Sequence, residues 1–401
     1  MKKIIILFFI FIFSINSISL SYYPDTTYVW SDNVVSTNSE TINEDFLELS
    51  CESAILVEQT TGKILYNKNS DIQLRPASVT KIMTILLIME EIESGRLSYD
   101  TQITCSETAS SLGGSQIWLE TGETLTVDEM LKAICVVSAN DCCVAMAEHI
   151  AGSETAFVDK MNQKAKSLGM KNTTFKNCHG IDEENHITTS YDISLMSCEL
   201  LNKYPEITNY TTIWMDTLRN GESELVNTNK LIRVYEGATG LKTGSTSLAL
   251  YNLSASATRD NLSLVAVIMR APSSTERISN ARKLLDYGFA NYEYLSTSKE
   301  GEKVKNIAVS KGIKTNIDLI CENSTGCIIK KGTSSDITNE IIINQNISAP
   351  IKKNQKLGKI NFYLNEELIS STNLIANEEV KKKSIFTMFK YIYSSWGNLL
   401  R

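Results

Sequence analysis

From Arg75 to Leu97 the chain reads "RPASVTKIMTILLIMEEIESGRL", and this apolar stretch constrains the fold more than any other in the sequence. It reads as one helix, entered through Pro76. A serine near a helix start is ordinary, because its hydroxyl can cap free backbone N–H groups. A lysine there is not. Lys81 falls in the first turn, three residues after Ser78, where a cation opposes the helix dipole at a cost of up to roughly 1 kcal/mol. The position is either tolerated or used. Residues i and i+3 share a helix face, so the hydroxyl and the amine can meet without help from distant chain. A serine nucleophile needs a base, and lysine serves when desolvation and neighbouring charge lower its pKa.

The spacing alone is weak evidence, since "STSK" at Ser296–Lys299 repeats it. Two further pieces change the odds. "SAN" at Ser138-Ala139-Asn140 interrupts the apolar helical text "LKAICVVSANDCCVAMAEHI". Other SxN copies, at Ser31, Ser36 and Ser371, lie in polar or linker-like text. Ser138 and Asn140 sit among apolar neighbours, where burial without a partner is costly. The third piece is "GLKTGST", with Lys242-Thr243-Gly244 at the front of a strand. A phosphate loop is the rival reading, and it fails because the chain has no GxxxxGK followed by Ser or Thr.

The chain has 401 residues, room for two or three domains. Its net charge of −7 gives no basic footprint and argues against a nucleic-acid partner. "MKKIIILFFIFIFSINSISLS" has a charged start, an apolar run and small residues at cleavage spacing, so residues 1–21 read as a secretory signal peptide. An uncleaved anchor is the alternative, but the unbroken apolar run is about half the ~20 residues a span needs. Residues 22–50 read as a polar linker. Strand-like text at both ends with helical text between gives an α+β catalytic domain over 51–295, an antiparallel sheet with helices. "SAILVEQTTGKILYNKNSD" reads as a hairpin about Thr60-Thr61-Gly62, and Asp260-Asn261 as the turn of a second. Short alternating runs over 296–380 predict a small all-β domain. In residues 381–401 three lysines precede apolar residues at helical spacing, Ile385, Phe389, Ile392, Trp396 and Leu399 among them. That segment is too short and too amphipathic to span a bilayer, and fits a helix lying in the membrane interface. Packing of that helix on the β domain is the alternative.

Nine cysteines leave at least one unpaired within the chain; Cys321 and Cys327 bracket a plausible turn and could pair across it. No metal-ligand spacing appears, and His149, His179 and His186 are scattered and read as structural. "TTSYD" at Thr188–Asp192 reads as the start of a helix.

In the order SxxK, SxN, KTG, the three pieces are the signature of penicillin-recognising serine acyltransferases. The flanking text, such as "GETLTVDEMLKAICVVSANDCCVAMAEHIAGS" and "LGMKNTTFKNCHGIDEENHITTSYDISLM", resembles the low-molecular-mass penicillin-binding proteins, serine-type D-alanyl-D-alanine carboxypeptidases, from about Cys51 to Tyr294. The β domain and amphipathic tail match that family's layout less specifically. Cys142 and Cys143 stand where small residues such as alanine are usual in the family, and Cys178 where proline is common.

The resemblance implies a β-lactamase/transpeptidase-like catalytic fold and a peptidoglycan stem peptide ending in D-Ala-D-Ala as substrate. Ser78 would attack the penultimate D-Ala carbonyl, with Lys81 as base, and water would then hydrolyse the acyl-enzyme. Ser138 would relay the proton to the departing D-Ala. Asn140 would hold the peptide amide and help place Lys81, while Lys242 and Thr243 would bind the terminal carboxylate. The N–H groups of Ser78 and Ser245 would form the oxyanion hole, and Gly244 would let the strand approach the substrate. No cofactor is implied. Implied partners are β-lactam antibiotics and, through the C-terminal helix, the membrane surface, with the protein exported to the outer face of the cytoplasmic membrane. The rivals are a D,D-endopeptidase, a β-lactamase, and a non-catalytic surface module. "GMKNTTFKNCHGID" lacks the deacylating glutamate of class A β-lactamases, which predicts slow release of bound penicillin.

Overall fold

The computed structural model describes residues 46–384. The expected signal peptide, most of the expected linker and the amphipathic segment 385–401 lie outside the described residues.

Five antiparallel strands build the sheet of the catalytic domain: β1 (Ser53–Glu58), β2 (Ile64–Lys68), β3 (Ala238–Thr246), β4 (Leu250–Arg259) and β5 (Leu262–Ala271). Their spatial order is β2-β1-β5-β4-β3, so β3 forms one edge. Both expected hairpins are present. The β1–β2 turn is held by the Glu58 carboxylate, which accepts from the N–H groups of Thr60 and Thr61 at 3.1 and 2.7 Å. Asp260 and Asn261 both take positive φ, 48° and 64°, as the two-residue turn that matches strand twist requires.

The helices flank this sheet: α1 (Lys81–Glu93), α2 (Val127–Val136), α3 (Asn140–Ala151), α4 (Glu154–Ser167), α5 (Ser190–Lys203) and α6 (Ser274–Asn291). Alternation along β5 divides the interior. Val265, Val267 and Met269 join one core with α1 and its neighbours, while Leu264, Ala266 and Ile268 join another with Leu284 and Leu285 of α6. Helix α1 is apolar on every side, and Ile82, Met83, Ile85, Leu86, Ile88 and Met89 are all buried. A helix of that kind is stable only when surrounded. Its lysine is therefore buried with it.

Three local readings sharpen. The apolar helix begins as a 3₁₀ turn, Ala77–Thr80, and α1 proper starts at Lys81. The text around "SAN" forms two helices, α2 and α3, parted at Val137–Ala139. Lys242-Thr243-Gly244 lies in the interior of β3 rather than at its front, because pairing with β4 begins at Ala238. "TTSYD" does start a helix: Thr189 caps α5, its hydroxyl accepting from the Asp192 N–H at 3.0 Å.

Strand β6 (Tyr292–Ser298) leaves α6 directly, a few residues before the composition changes. It opens an all-β domain with β7 (Lys303–Ala308), β8 (Asn316–Cys321), β9 (Thr325–Lys330), β10 (Ile337–Ile343), β11 (Lys356–Leu364) and β12 (Glu367–Ala376). Five strands run in the order β7-β8-β12-β11-β10, and β6 pairs with β9 separately. Cys321 and Cys327 do not pair. They fall in different sheets, Cys321 opposite Leu374 and Cys327 opposite Leu295, and all nine cysteines are buried. Among the described residues no helix is long and apolar enough to cross a membrane.

Candidate active site

Ser78 sits on the 3₁₀ turn, one turn before Lys81. In that geometry i and i+3 eclipse, which brings the pair together more directly than an α-helix would. Lys81 Nζ is 3.0 Å from Ser78 Oγ. Ala77, just before the serine, has φ 50°, a left-handed conformation that costs energy and persists only under restraint. The restraint comes from three sides. Asn252 on β4 donates to the carbonyls of Arg75 and Pro76 at 2.8 and 3.0 Å. A Cβ on Gly180 would lie 2.0 Å from the Ala77 carbonyl oxygen, and Gly180 itself has φ +92°. A Cβ on Gly244 would lie 2.9 Å from both the Pro76 oxygen and the Ser78 nitrogen. The serine turn therefore leaves no room for a side chain at Gly244.

Lys81 is fully buried, and burial pushes its pKa below the usual lysine range. Its Nζ also donates to Asn140 Oδ1 at 2.7 Å and to the His179 carbonyl at 2.6 Å. A neutral amine has two N–H bonds and one lone pair. With the two carbonyl oxygens taking the N–H bonds, the lone pair is left for the Ser78 hydroxyl. The nearby Asp141 carboxylate is turned away, its Oδ2 accepting from the N–H groups of Ile117 and Leu119 at 3.1 Å each and its Oδ1 from the Cys142 N–H at 2.9 Å.

Ser138 lies in the break between α2 and α3 with φ 67°. Its Oγ is buried and has no hydrogen-bond partner among the described residues. Asn140 is held on both sides: its N–H reaches the Ser115 carbonyl at 2.7 Å, and its Nδ2 the Gly113 carbonyl at 2.7 Å. Asn140 thereby couples the 113–120 loop to Lys81.

Lys242 is the second buried lysine, its Nζ donating to the Thr243 carbonyl at 3.0 Å. Burial, and then the charge of Lys81, lower its pKa to about 7. Thr243 shares a hydroxyl–hydroxyl bond of 2.7 Å with Thr228. Ser245 follows, exposed near the end of β3. Arg277, buried beneath, donates to the Gly244 carbonyl at 3.3 Å.

The structure joins Ser78, Lys81 and Asn140 directly, and sets Thr243 and Gly244 on the strand beside the serine turn. Sequence reasoning missed the His179 carbonyl, Gly180, Asn252 and Arg277. A lone His-Gly pair was the only local signal, and backbone acceptors carry none. The rings of His179 and His186 make packing and hydrogen-bond contacts within the fold. His186 Nε2 bonds Thr80 Oγ1 at 2.8 Å, His179 Nε2 faces Glu154 at 3.4 Å, and burial lowers their pKa values to about 4 and about 3.

A serine bonded to a buried lysine, beside an edge strand bearing a second lysine, is the arrangement of a serine–lysine acyl-transfer site. Comparison with known proteins agrees. Residues 37–273 match the D-alanyl-D-alanine carboxypeptidase family, and residues 292–382 match the C-terminal domain of penicillin-binding protein 5. D-alanyl-D-alanine carboxypeptidase DacF of Bacillus subtilis is 45% identical over 86% of this chain and 90% of its own. DacA of Escherichia coli is 30% identical over 90% of this chain and 91% of its own. The crystal structure of penicillin-binding protein 5 from Haemophilus influenzae superposes with TM-score 0.70 at 30% identity, covering 83% of this chain and 98% of that one. This chain belongs to the D-alanyl-D-alanine carboxypeptidase family.

Proposed function

We propose that the protein removes the terminal D-Ala from peptidoglycan stem peptides through an acyl-enzyme on Ser78, and that β-lactams acylate the same serine. The contact of Lys81 Nζ with Ser78 Oγ, fixed by two carbonyl acceptors, carries the proposal. Lys81 takes the Ser78 proton as the oxygen attacks. Ser138, whose hydroxyl is free of other bonds, passes a proton to the departing amine. Lys242 and Thr243 hold the terminal carboxylate, and its charge would favour the protonated form of Lys242. Asn140 binds the peptide amide while it orients Lys81. The Ser78 and Ser245 N–H groups receive the oxyanion, a contribution typically worth about 3–4 kcal/mol.

A labelled penicillin should acylate the wild-type protein and not Ser78→Ala; equal labelling, or none in either, sinks the mechanism. A relative supports the β-lactam reading: penicillin-binding protein D2 of Listeria monocytogenes, 29% identical, has been solved in an ampicillin-bound form. Release of the acyl group from this chain should be slow. No glutamate lies in residues 169–182, and the nearby Glu154 is occupied by the Cys178 N–H at 3.0 Å and by His179.

The protein acts at the outer face of the cytoplasmic membrane, held there by its C-terminal segment. Lys311, Lys381, Lys382 and Lys383 gather on paired backbone beside Ile313, which is 55% exposed, where the chain runs on toward 385–401. Cations beside apolar groups suit an anionic bilayer surface. Deleting residues 383–401 should release active protein from membranes; sedimentation of the truncated form with them would contradict this.

A further inference from the structure

A cavity of about 960 Å³ opens beside the proposed catalytic residues without including Ser78. One wall is the 114–120 loop, the other the segment from Arg219 to Val226. Both walls lead into the site. Val137, next to Ser138, lines the cavity, and Asn140 pins the loop through Ser115. The other wall continues to Thr228, whose hydroxyl bonds Thr243 and whose N–H bonds the Val136 carbonyl at 3.1 Å. In the reading above, Ser138 and Thr243 attend the departing residue, so the cavity extends the cleft on the leaving-group side.

Its lining has a definite chemistry. Arg219 bridges the walls, bonding Glu123 at 2.6 and 3.1 Å and the Ile117 carbonyl at 2.9 Å, so that cation and carboxylate satisfy one another. Glu120, Glu222 and Glu224 remain, all exposed and none in an ion pair among the described residues. Beside them Trp118, also a lining residue, is 74% exposed. D-Alanine, with a single methyl side chain, has no use for such a volume or charge. An aromatic face with unpaired carboxylates attracts an ammonium group.

We infer that this cavity is a subsite for a leaving residue larger than D-alanine that carries a cationic side chain, as when the residue after the scissile bond is a diamino acid. The inference rests on the proposed hydrolysis at Ser78. The bond cleaved is the same amide: the serine ester forms, the diamino residue leaves as the free amine, and water restores the serine.

The test compares diacetyl-L-Lys-D-Ala-X with X as D-Ala, D-norleucine or D-Lys, the last two differing by one ammonium. The wild-type kcat/KM should favour D-Lys over D-norleucine by roughly two- to fivefold, the scale of one exposed cation contact. The ratio should fall to about one in Glu222→Gln/Glu224→Gln and invert in Glu222→Lys/Glu224→Lys. Because the ratio is taken within each variant, partial misfolding cancels. A wild-type ratio of one, or a ratio unchanged by the substitutions, overturns the subsite. Failure of the underlying reading is distinct: hydrolysis of the D-Ala substrate and labelling by penicillin would be missing as well.

Discussion

Two places in this chain carry the same four-residue spacing, Ser78–Lys81 and Ser296–Lys299, and the structure makes different things of them. The first is wound into a helical turn, with the lysine buried at the start of α1 and its amine on the serine oxygen. The second lies along and beyond strand β6, where Lys299 is exposed and Ser296 Oγ reaches only the Ser298 carbonyl at 3.5 Å. In extended backbone, residues three apart point to opposite faces, so hydroxyl and amine cannot meet. The spacing acquires chemistry from backbone conformation and burial together.

The largest effect expected from breaking that contrast is on Lys81. Lys81→Met keeps the volume and removes the base, so acylation by a labelled penicillin should slow by about 10²–10⁴-fold. Retention of near wild-type acylation would remove lysine from the mechanism. Next is the scaffold of the first turn. Gly180→Ala drives a methyl into the Ala77 carbonyl and imposes an unfavourable φ. It should cost about 3 kcal/mol in denaturant unfolding and lower acylation with it.

Smaller and opposite in sign is Lys242→Met. Burial holds the folded pKa at about 7, below the ordinary 10.5. Between these values the unfolded chain binds more protons, so wild-type stability rises with pH across that window. Below about 7 both states are protonated and the desolvation penalty is fully present. The full linkage is worth about 5 kcal/mol, and leaving the Thr243 carbonyl without its donor offsets part of it, so the variant should be more stable than wild type by about 2 kcal/mol at pH 6, with the gain fading toward pH 10. It should also lose turnover of substrates with a free terminal carboxylate. A gain that grew with pH would contradict the assignment. The smallest effect belongs to the second copy: Lys299→Ala should change stability by less than about 0.5 kcal/mol and acylation not at all. A loss of acylation there would erase the distinction between the two sites.

Much of this was legible in the chain. The apolar run around Lys81 required a buried helix and the Asp-Asn turn a hairpin, and "SAN" stood out as a polar interruption of helical text, though not as a break between two helices. These follow from local rules of period, turn and polarity. The disulfide suggested by Cys321 and Cys327 failed because strand pairing is not local. Each cysteine found a partner strand elsewhere, in a different sheet.

By itself the sequence determined which groups the proposed chemistry draws on: Ser78, Lys81, Ser138, Asn140, Lys242 and Thr243. Tertiary structure alone decided how they act. The acceptors that aim Lys81 are a side-chain amide and a backbone carbonyl from residues 59 and 98 positions away. The glycines that let strand and loop close on the serine turn are likewise remote in sequence. A carbonyl has no side-chain signature, and desolvation is a property of everything packed around a group. The reactivity of the serine–lysine pair therefore exists only once the fold has closed around it.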